Sequence, residues 1–292
     1  MIGLLVIDKP SGMTSRDAVN RVERWFPRKT KIGHTGTLDP LATGVLVVCV
    51  GAATRLADYV QAMGKSYASR FRLGATSTTD DADGAIAETP NATAPTREAI
   101  DAALAKFVGT IEQVPPAVSA LKVDGRRAHD LVRKGHDVRL AARTVRIDAI
   151  RVTAYAWPYL DVEVDCGKGT YIRSIARDLG AALGCGGLVQ TLRRTRVGPF
   201  TTEQGIGVDA TPEAGRAAVL PPLTAFDQSW LRVALSEAAA VRFRSGQVVE
   251  YAAEVELGPG YVVPVLDAAG DMIGIGETFR GKRVAPDVVL AK

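Results

Sequence analysis

Val45-Leu46-Val47-Val48-Cys49-Val50 is the longest uninterrupted apolar run in this 292-residue chain, and it constrains the fold more than any other segment. Six residues fall far short of the roughly 20 that a membrane-spanning helix needs. The run is rich in β-branched side chains and shows no alternation, so it reads as a strand covered on both faces. A chain that must bury such a strand needs a sheet with layers on either side. With 47% hydrophobic and 23% charged residues, this one has the material to build it.

The surrounding patterns supply the other elements. Residues 3–8 read as a short strand closed by Lys9-Pro10-Ser11-Gly12. Thr14-Ser15-Arg16-Asp17 has the hydroxyl-x-x-acid spacing of a helix start, and Ala18, Val19, Val22, Trp25 and Phe26 follow as one apolar face. Leu56, Val60 and Met63 suggest a short helix. Tyr67, Ser69, Phe71 and Leu73 alternate with Ala68, Arg70 and Arg72, which predicts a half-exposed strand. Ile100, Leu104 and Phe107 mark a helix, and Pro115-Pro116 stops regular structure nearby. Residues 145–154 and 160–166 alternate as strands. Ile172, Ile175, Ala176, Leu179 and Leu183 then repeat at helical spacing until Gly184. Strands outnumber helices without alternating strictly with them, so the class is α+β, with a mixed, mainly antiparallel sheet flanked by helices. A weakly periodic stretch around Pro221-Pro222, residues 205–228, reads as a linker. The short β-like runs 261–266 and 272–275 beyond it predict a small separate β domain.

Charge is unevenly spread. The net charge is only +4, yet residues 122–146 hold eight Lys/Arg against three Asp, and residues 9–31 hold seven against two acidic residues. Arginine predominates in both runs, and its planar fork suits phosphate contacts and base stacking. Each run alone reads first as a solvated face; two in a nearly neutral chain make a polyanionic partner an equal reading. The N-terminus meets Asp8 and Lys9 too early for a secretory leader, and three scattered cysteines make neither a disulfide framework nor a metal motif, so the expected location is the cytoplasm.

Several nucleotide-binding and hydrolase signatures fail on inspection. Gly64-Lys65-Ser66 lacks the upstream P-loop glycine, since Tyr59 stands there, and Gly167-Lys168-Gly169 lacks the third glycine of a dinucleotide fingerprint at Ile172. No Gly-x-Ser-x-Gly occurs, and His34, His129 and His136 show no metal-ligand spacing. The most unusual segment is Gly33-His34-Thr35-Gly36-Thr37-Leu38-Asp39-Pro40-Leu41-Ala42-Thr43-Gly44, leading straight into the apolar run. Pro40 drives Asp39 toward extended backbone, which holds a carboxylate at the edge of the interior. Read alone, that carboxylate is first of all a turn cap for a backbone N–H.

This loop resembles the catalytic signature of the bacterial tRNA pseudouridine-55 synthase family, enzymes that isomerise a uridine in the tRNA T loop. Further similar blocks occur in family order over residues 3–198: Asp8-Lys9-Pro10-Ser11-Gly12-Met13-Thr14-Ser15, Lys65-Ser66-Tyr67, Leu73-Gly74, Asp81-Ala82-Asp83-Gly84, Gln113-Val114-Pro115-Pro116, Ser119-Ala120-Leu121-Lys122, Gly125-Arg126-Arg127-Ala128, Gly169-Thr170-Tyr171-Ile172-Arg173-Ser174 and Leu192-Arg193-Arg194-Thr195. The tail is similar to a PUA domain, a small β-barrel-like RNA-binding fold, through Val233-Ala234-Leu235-Ser236, Ser245-Gly246-Gln247 and Ile273-Gly274-Ile275-Gly276.

The resemblance implies a catalytic domain over residues 1–227, with a basic RNA-binding arm at about 122–146, and a PUA-like domain over 228–292. It implies a tRNA uridine isomerase that needs no cofactor and no metal, and that works as a monomer on the T stem-loop. Asp39 matches the family's required aspartate, either as nucleophile or as the base that abstracts a ribose proton. Arg173 matches the arginine that neutralises it, and Tyr67 the active-site tyrosine packed on the target base. For substrate binding, His34 matches a histidine inserted into the T loop, Lys9 a supporting lysine, Asp81 an aspartate that contacts a flipped base, and Leu192 a wall of the pocket. Arg126 and Arg127 fall on the arm. Two alternatives share the scaffold: a noncatalytic RNA-binding or tRNA-folding protein, and a guide-RNA-dependent pseudouridine synthase.

Overall fold

The computed structural model describes residues 1–119, 122–123, 126–127, 140–252 and 257–290, with the backbone alone at 122–123 and 126–127. The chain divides into two compact units, one of Met1–Asp39, Gly44–Gln61 and Val197–Lys292, the other of Pro40–Thr43 and Ala62–Arg196.

In the first unit, strand Gly3–Lys9 lies antiparallel to Thr43–Val50, in a register running from Gly3 opposite Val50 to Lys9 opposite Gly44. The other edge of Thr43–Val50 carries the short strand Ile32–His34, and Ile206–Gly207 pairs parallel with the end of the first strand. Both long strands are buried almost end to end, as an apolar run without alternation demands. Helix Ser15–Glu23 begins with the expected capping box, Thr14 and Asp17 satisfying each other's backbone N–H groups, and it buries Ala18, Val19 and Val22. Trp25 and Phe26 lie beyond its end yet remain buried. The Arg216 guanidinium donates to the Trp25 carbonyl at 2.7 Å.

The stretch 205–228 is not a linker. It contains strand Ile206–Gly207, helix Pro212–Ala217 and a 3-10 turn, Pro222–Ala225. Leu4 and Leu220 exchange two backbone hydrogen bonds, 2.9 and 2.7 Å long, and Phe226 is buried. Elements of two to six residues are too short to show a period, which is why the sequence pattern is silent there. The tail forms a five-stranded sheet in the order Val233–Ala234, Val262–Leu266, Met272–Phe279, Arg283–Val289, Val249–Glu250. Helix Glu237–Arg244 adds Phe243 to its own core of Val249, Val263, Val265, Ile273 and Val284. Arg55 donates to the Val289 carbonyl at 2.5 Å, and the Tyr59 hydroxyl to the Asp287 carboxylate, which ties the tail to residues 51–62.

The second unit is built on the strands Gly187–Val197, Lys65–Leu73, Tyr159–Cys166, Arg143–Ala156 and Gly109–Gln113, in that order. Lys65–Leu73 buries every second residue, as its alternation predicts. Arg143–Ala156 and Tyr159–Cys166 form a long antiparallel hairpin. Its first strand begins inside the basic stretch 122–146, so Arg143 and Arg146 lie in the sheet, opposite Gln113 and Thr110. Helix Ile172–Ala182 packs on Lys65–Leu73 and on helix Arg97–Ala105, and Gly184, at φ 69°, turns the chain out of it. One approach is closer than any side chain permits: a Cβ on Gly180 would stand 2.1 Å from the backbone of Gly186.

Candidate active site

In the first unit the chemistry sits where strands Gly3–Lys9 and Thr43–Val50 end together. Lys9 is fully buried, and its ammonium donates to the carbonyls of Pro10 at 2.8 Å and Met13 at 2.7 Å. A buried cation needs such acceptors, and these close a turn in which Gly12 takes φ 82°. The turn delivers Ser15, whose buried hydroxyl accepts from the Leu38 N–H at 2.7 Å and donates to the Leu38 carbonyl at 3.0 Å. One hydroxyl therefore satisfies both backbone groups of the residue that precedes Asp39. With Leu38 locked and Pro40 following, Asp39 has little backbone freedom, and it is half-buried, at the edge of the interior as the sequence suggests. His34, also half-buried, closes strand Ile32–His34 opposite Val48.

In the second unit Tyr67 and Leu192 are buried on strands Lys65–Leu73 and Gly187–Val197. Arg173, in the first turn of helix Ile172–Ala182, is buried with Asp81, its Nη1 3.4 Å from the Asp81 carboxylate. The same guanidinium donates to the carbonyls of Thr79 at 2.8 Å and Val118 at 3.1 Å. Asp81 also accepts from the Thr79 hydroxyl and from the Asp83 N–H at 3.1 Å. Within this unit Arg173 and Asp81 are partners of each other.

Sequence reasoning missed the second turn of that helix. Arg177 bonds the Asp80 carboxylate at 3.0 Å and the Val114 carbonyl at 2.8 Å, and Ser174 donates to the same carbonyl at 2.8 Å. The Gln113 amide pairs with the backbone of Tyr171 in both directions, at 2.8 and 3.1 Å, and so fixes the helix start. The i, i+4 spacing of Arg173 and Arg177 was the available signal. Burial pushes the Asp80 carboxyl above its ordinary value, and the Arg177 cation opposes that. Lys65, buried two residues before Tyr67, is lowered to about 8 by desolvation and by the nearby Arg194 cation. Lys122–Val123 and Arg126–Arg127 pair as a short antiparallel ladder. The side chains of Arg126 and Arg127 lie outside the described residues.

The first unit offers a positioned carboxylate, and the second offers a buried tyrosine and an arginine–aspartate pair. Three family models match the chain: the TruB family pseudouridylate synthase N-terminal domain over residues 24–172, the tRNA pseudouridylate synthase B C-terminal domain over 173–211, and the pseudouridine synthase II TruB C-terminal region over 232–290. The tRNA pseudouridine synthase B of Burkholderia mallei is 42% identical over 285 residues, 96% of this chain and 94% of that protein. The protein of the same name from Mycolicibacterium paratuberculosis is 52% identical over 218 residues, 73% of this chain and 74% of that one. Among solved structures, a Cbf5-Nop10-Gar1 complex aligns with a TM-score of 0.73 at 26% identity, covering 98% of this chain and 83% of that one. An H/ACA RNP bound to a substrate RNA containing 2'-deoxyuridine shares the fold, with a TM-score of 0.74 at 23% identity, over 99% of this chain and 85% of that one.

Proposed function

The chain belongs to the TruB family of pseudouridylate synthases, and from that membership we infer that it isomerises uridine to pseudouridine in tRNA, at position 55 of the T loop. The observation that carries the reading is the half-buried Asp39 carboxylate, held behind a residue locked in both hydrogen-bonding directions by Ser15. The reaction breaks the N1–C1′ bond, turns the base and joins C5 to C1′. The proton leaves C5 and N1 gains one, so composition and redox state are unchanged. Such a rearrangement asks for a placed carboxylate and a shaped pocket, and for a base flipped out of its stack at a cost of a few kcal/mol.

Asp39 is the catalytic carboxylate, as nucleophile toward the nucleotide or as base toward the ribose. Tyr67 packs against the target base near the C5 proton, and Arg173 supplies positive charge. His34 fills the gap left in the T loop, Lys9 braces the turn beneath, Asp81 reads a flipped base and Leu192 walls the pocket. Arg126 and Arg127, on an arm over about residues 122–146, contact T-stem phosphates. Arg24, Arg28, Lys29 and Lys31 are exposed on the first unit, and an open cavity of about 430 Å³ lined by Lys29, Lys31 and Arg55 offers further positive charge to an RNA backbone. Residues 1–227 act as the catalytic domain and 228–292 as a PUA-like RNA-binding domain, a reading supported by the tail's own hydrophobic core. Among the described residues no helix is long and apolar enough to cross a membrane. On the family reading, the catalyst we propose is a cytoplasmic monomer that needs no cofactor.

The test is a T stem-loop transcript labelled at uridine C5, incubated with the purified full chain and no other RNA or protein. Release of the C5 label, with pseudouridine mapped to one uridine, is the expected result. Binding without product under single-turnover conditions leaves a noncatalytic RNA-binding protein. Product that appears only with a second RNA marks a guide-dependent enzyme.

A further inference from the structure

Arg177 and Arg173 stand one helical turn apart and bridge the same two segments. Arg173 joins residues 79 and 81 to the Val118 carbonyl, while Arg177 joins Asp80 to the Val114 carbonyl. Three successive residues, 79–81, are thus held by two guanidiniums that also hold residues 114–118. The turn is fixed from behind as well: the Asp80 carbonyl accepts from the Val189 N–H at 3.0 Å and the Ala82 N–H donates to the Val189 carbonyl at 2.9 Å. Asp80 itself lies at φ 61°, in the left-handed region where an L residue is strained and where Asp and Asn are among the best tolerated. A strained backbone persists only where its surroundings hold it, and here the Arg177 charge does so.

We propose that Arg177 and Asp80 together are positioning residues for the isomerisation, keeping residues 79–81 and 114–118 at the spacing that holds the Arg173 guanidinium in its working orientation. Without Arg177, residues 114–118 lose one of their bonds to the helix while the Ser174 and Arg173 bonds stay, and the Arg173 fork shifts with that segment. Residues 114–118 also lead into the basic stretch 122–146, so the clasp joins the root of that stretch to the turn that carries Asp81. A shift of about 1 Å in a reacting group is enough to slow chemistry by up to about a hundredfold while leaving binding intact.

The inference rests on the isomerase reading and is tested with the full chain and a tRNA transcript, measuring the single-turnover rate and the tRNA Kd separately. Arg177→Met and Asp80→Asn are each expected to lower the rate about tenfold, with Kd within twofold of wild type. The double variant is expected to lose no more than either single, as groups acting through one interaction do. Arg177→Lys, which retains the charge opposite Asp80, restores the rate to within about threefold of wild type. Rates within twofold of wild type, a loss confined to Kd, or a double variant whose losses multiply would each overturn the proposal. Should Arg177→Met fail to fold, Asp80→Asn decides alone, because Asn is isosteric and at ease in left-handed backbone. A wild-type chain that forms no pseudouridine overturns the isomerase reading and with it this role. An active wild type with unaffected variants overturns the clasp only.

Discussion

The candidate residues of the two units are held in different ways. In the first unit the Asp39 loop is held by neutral bonds, the Ser15 hydroxyl to the Leu38 backbone, with Lys9 bracing a neighbouring turn through carbonyls. In the second unit the turn at Asp81 is held by charge, through the buried Arg173–Asp81 pair and the Arg177–Asp80 pair. The Ser15 anchor fixes the residue before Asp39 through a hydroxyl and a backbone, with no part taken by the Asp39 carboxylate in those two bonds. In the charged clasp, position and charge belong to the same side chains, so removing the Arg173 guanidinium is expected to disturb reactivity and stability together.

The largest effect that would expose this contrast is at Asp39. Asp39→Asn is expected to lower turnover by about 10³-fold or more while leaving tRNA Kd within tenfold and the denaturant midpoint near wild type. An unfolding midpoint that drops with it would show that the loop leans on that carboxylate. Arg173→Met should do both kinds of harm, lowering turnover about a hundredfold and stability by about 3–5 kcal/mol, since Asp81 is left buried beside no guanidinium. Equilibrium urea unfolding read alongside the single-turnover rate checks it. Ser15→Ala tests the neutral anchor. Leaving the Leu38 N–H and carbonyl without that hydroxyl is expected to cost about 1–3 kcal/mol and to slow turnover roughly tenfold, with Kd unchanged.

Two smaller effects sharpen the comparison. The folded-state pKa of Lys65 is about 8 against an ordinary 10.5, so between those values the unfolded chain binds more protons than the folded one. Stability contributed at this position is therefore lowest below pH 8 and rises as the pH climbs toward 10.5. In Lys65→Met that rise, on the order of 1–3 kcal/mol, should vanish from unfolding curves taken across the window. Last, Arg126→Gln with Arg127→Gln should weaken tRNA binding and flatten the plot of log K against log salt by roughly one unit for each phosphate that is no longer neutralised. An unchanged slope would mean that these arginines face solvent in the complex.

What the sequence revealed was local. The strand at 45–50 and the capping box at Thr14 and Asp17 are legible because the residues that define them are adjacent. The alternation through Tyr67 was legible because a half-covered strand writes its environment residue by residue. Asp39 stood out through its glycine-rich loop, Pro40 and the family resemblance, but its anchor at Ser15 did not, since 23 residues separate the two ends of that bond. The Arg173 clasp was less visible still: Thr79 lies 94 residues from the arginine that holds it. Pairings at that distance leave no trace in local periodicity, so the bonds that hold residues 79–81 to the helix were not legible. The packed segment 205–228 and helix Glu237–Arg244 were missed for a different reason. Their elements are short, and in the helix a run of alanines hides the apolar face that a stronger pattern would reveal.

At Gly180 the backbone of helix Ile172–Ala182 touches that of Gly186 and Gly187 with no room for even a methyl group. Main chain meets main chain here, so the helix bearing Arg173 is seated directly on the start of the strand bearing Leu192. A residue larger than glycine at 180 would have to push the two apart, and would disturb the arginine's setting without touching it.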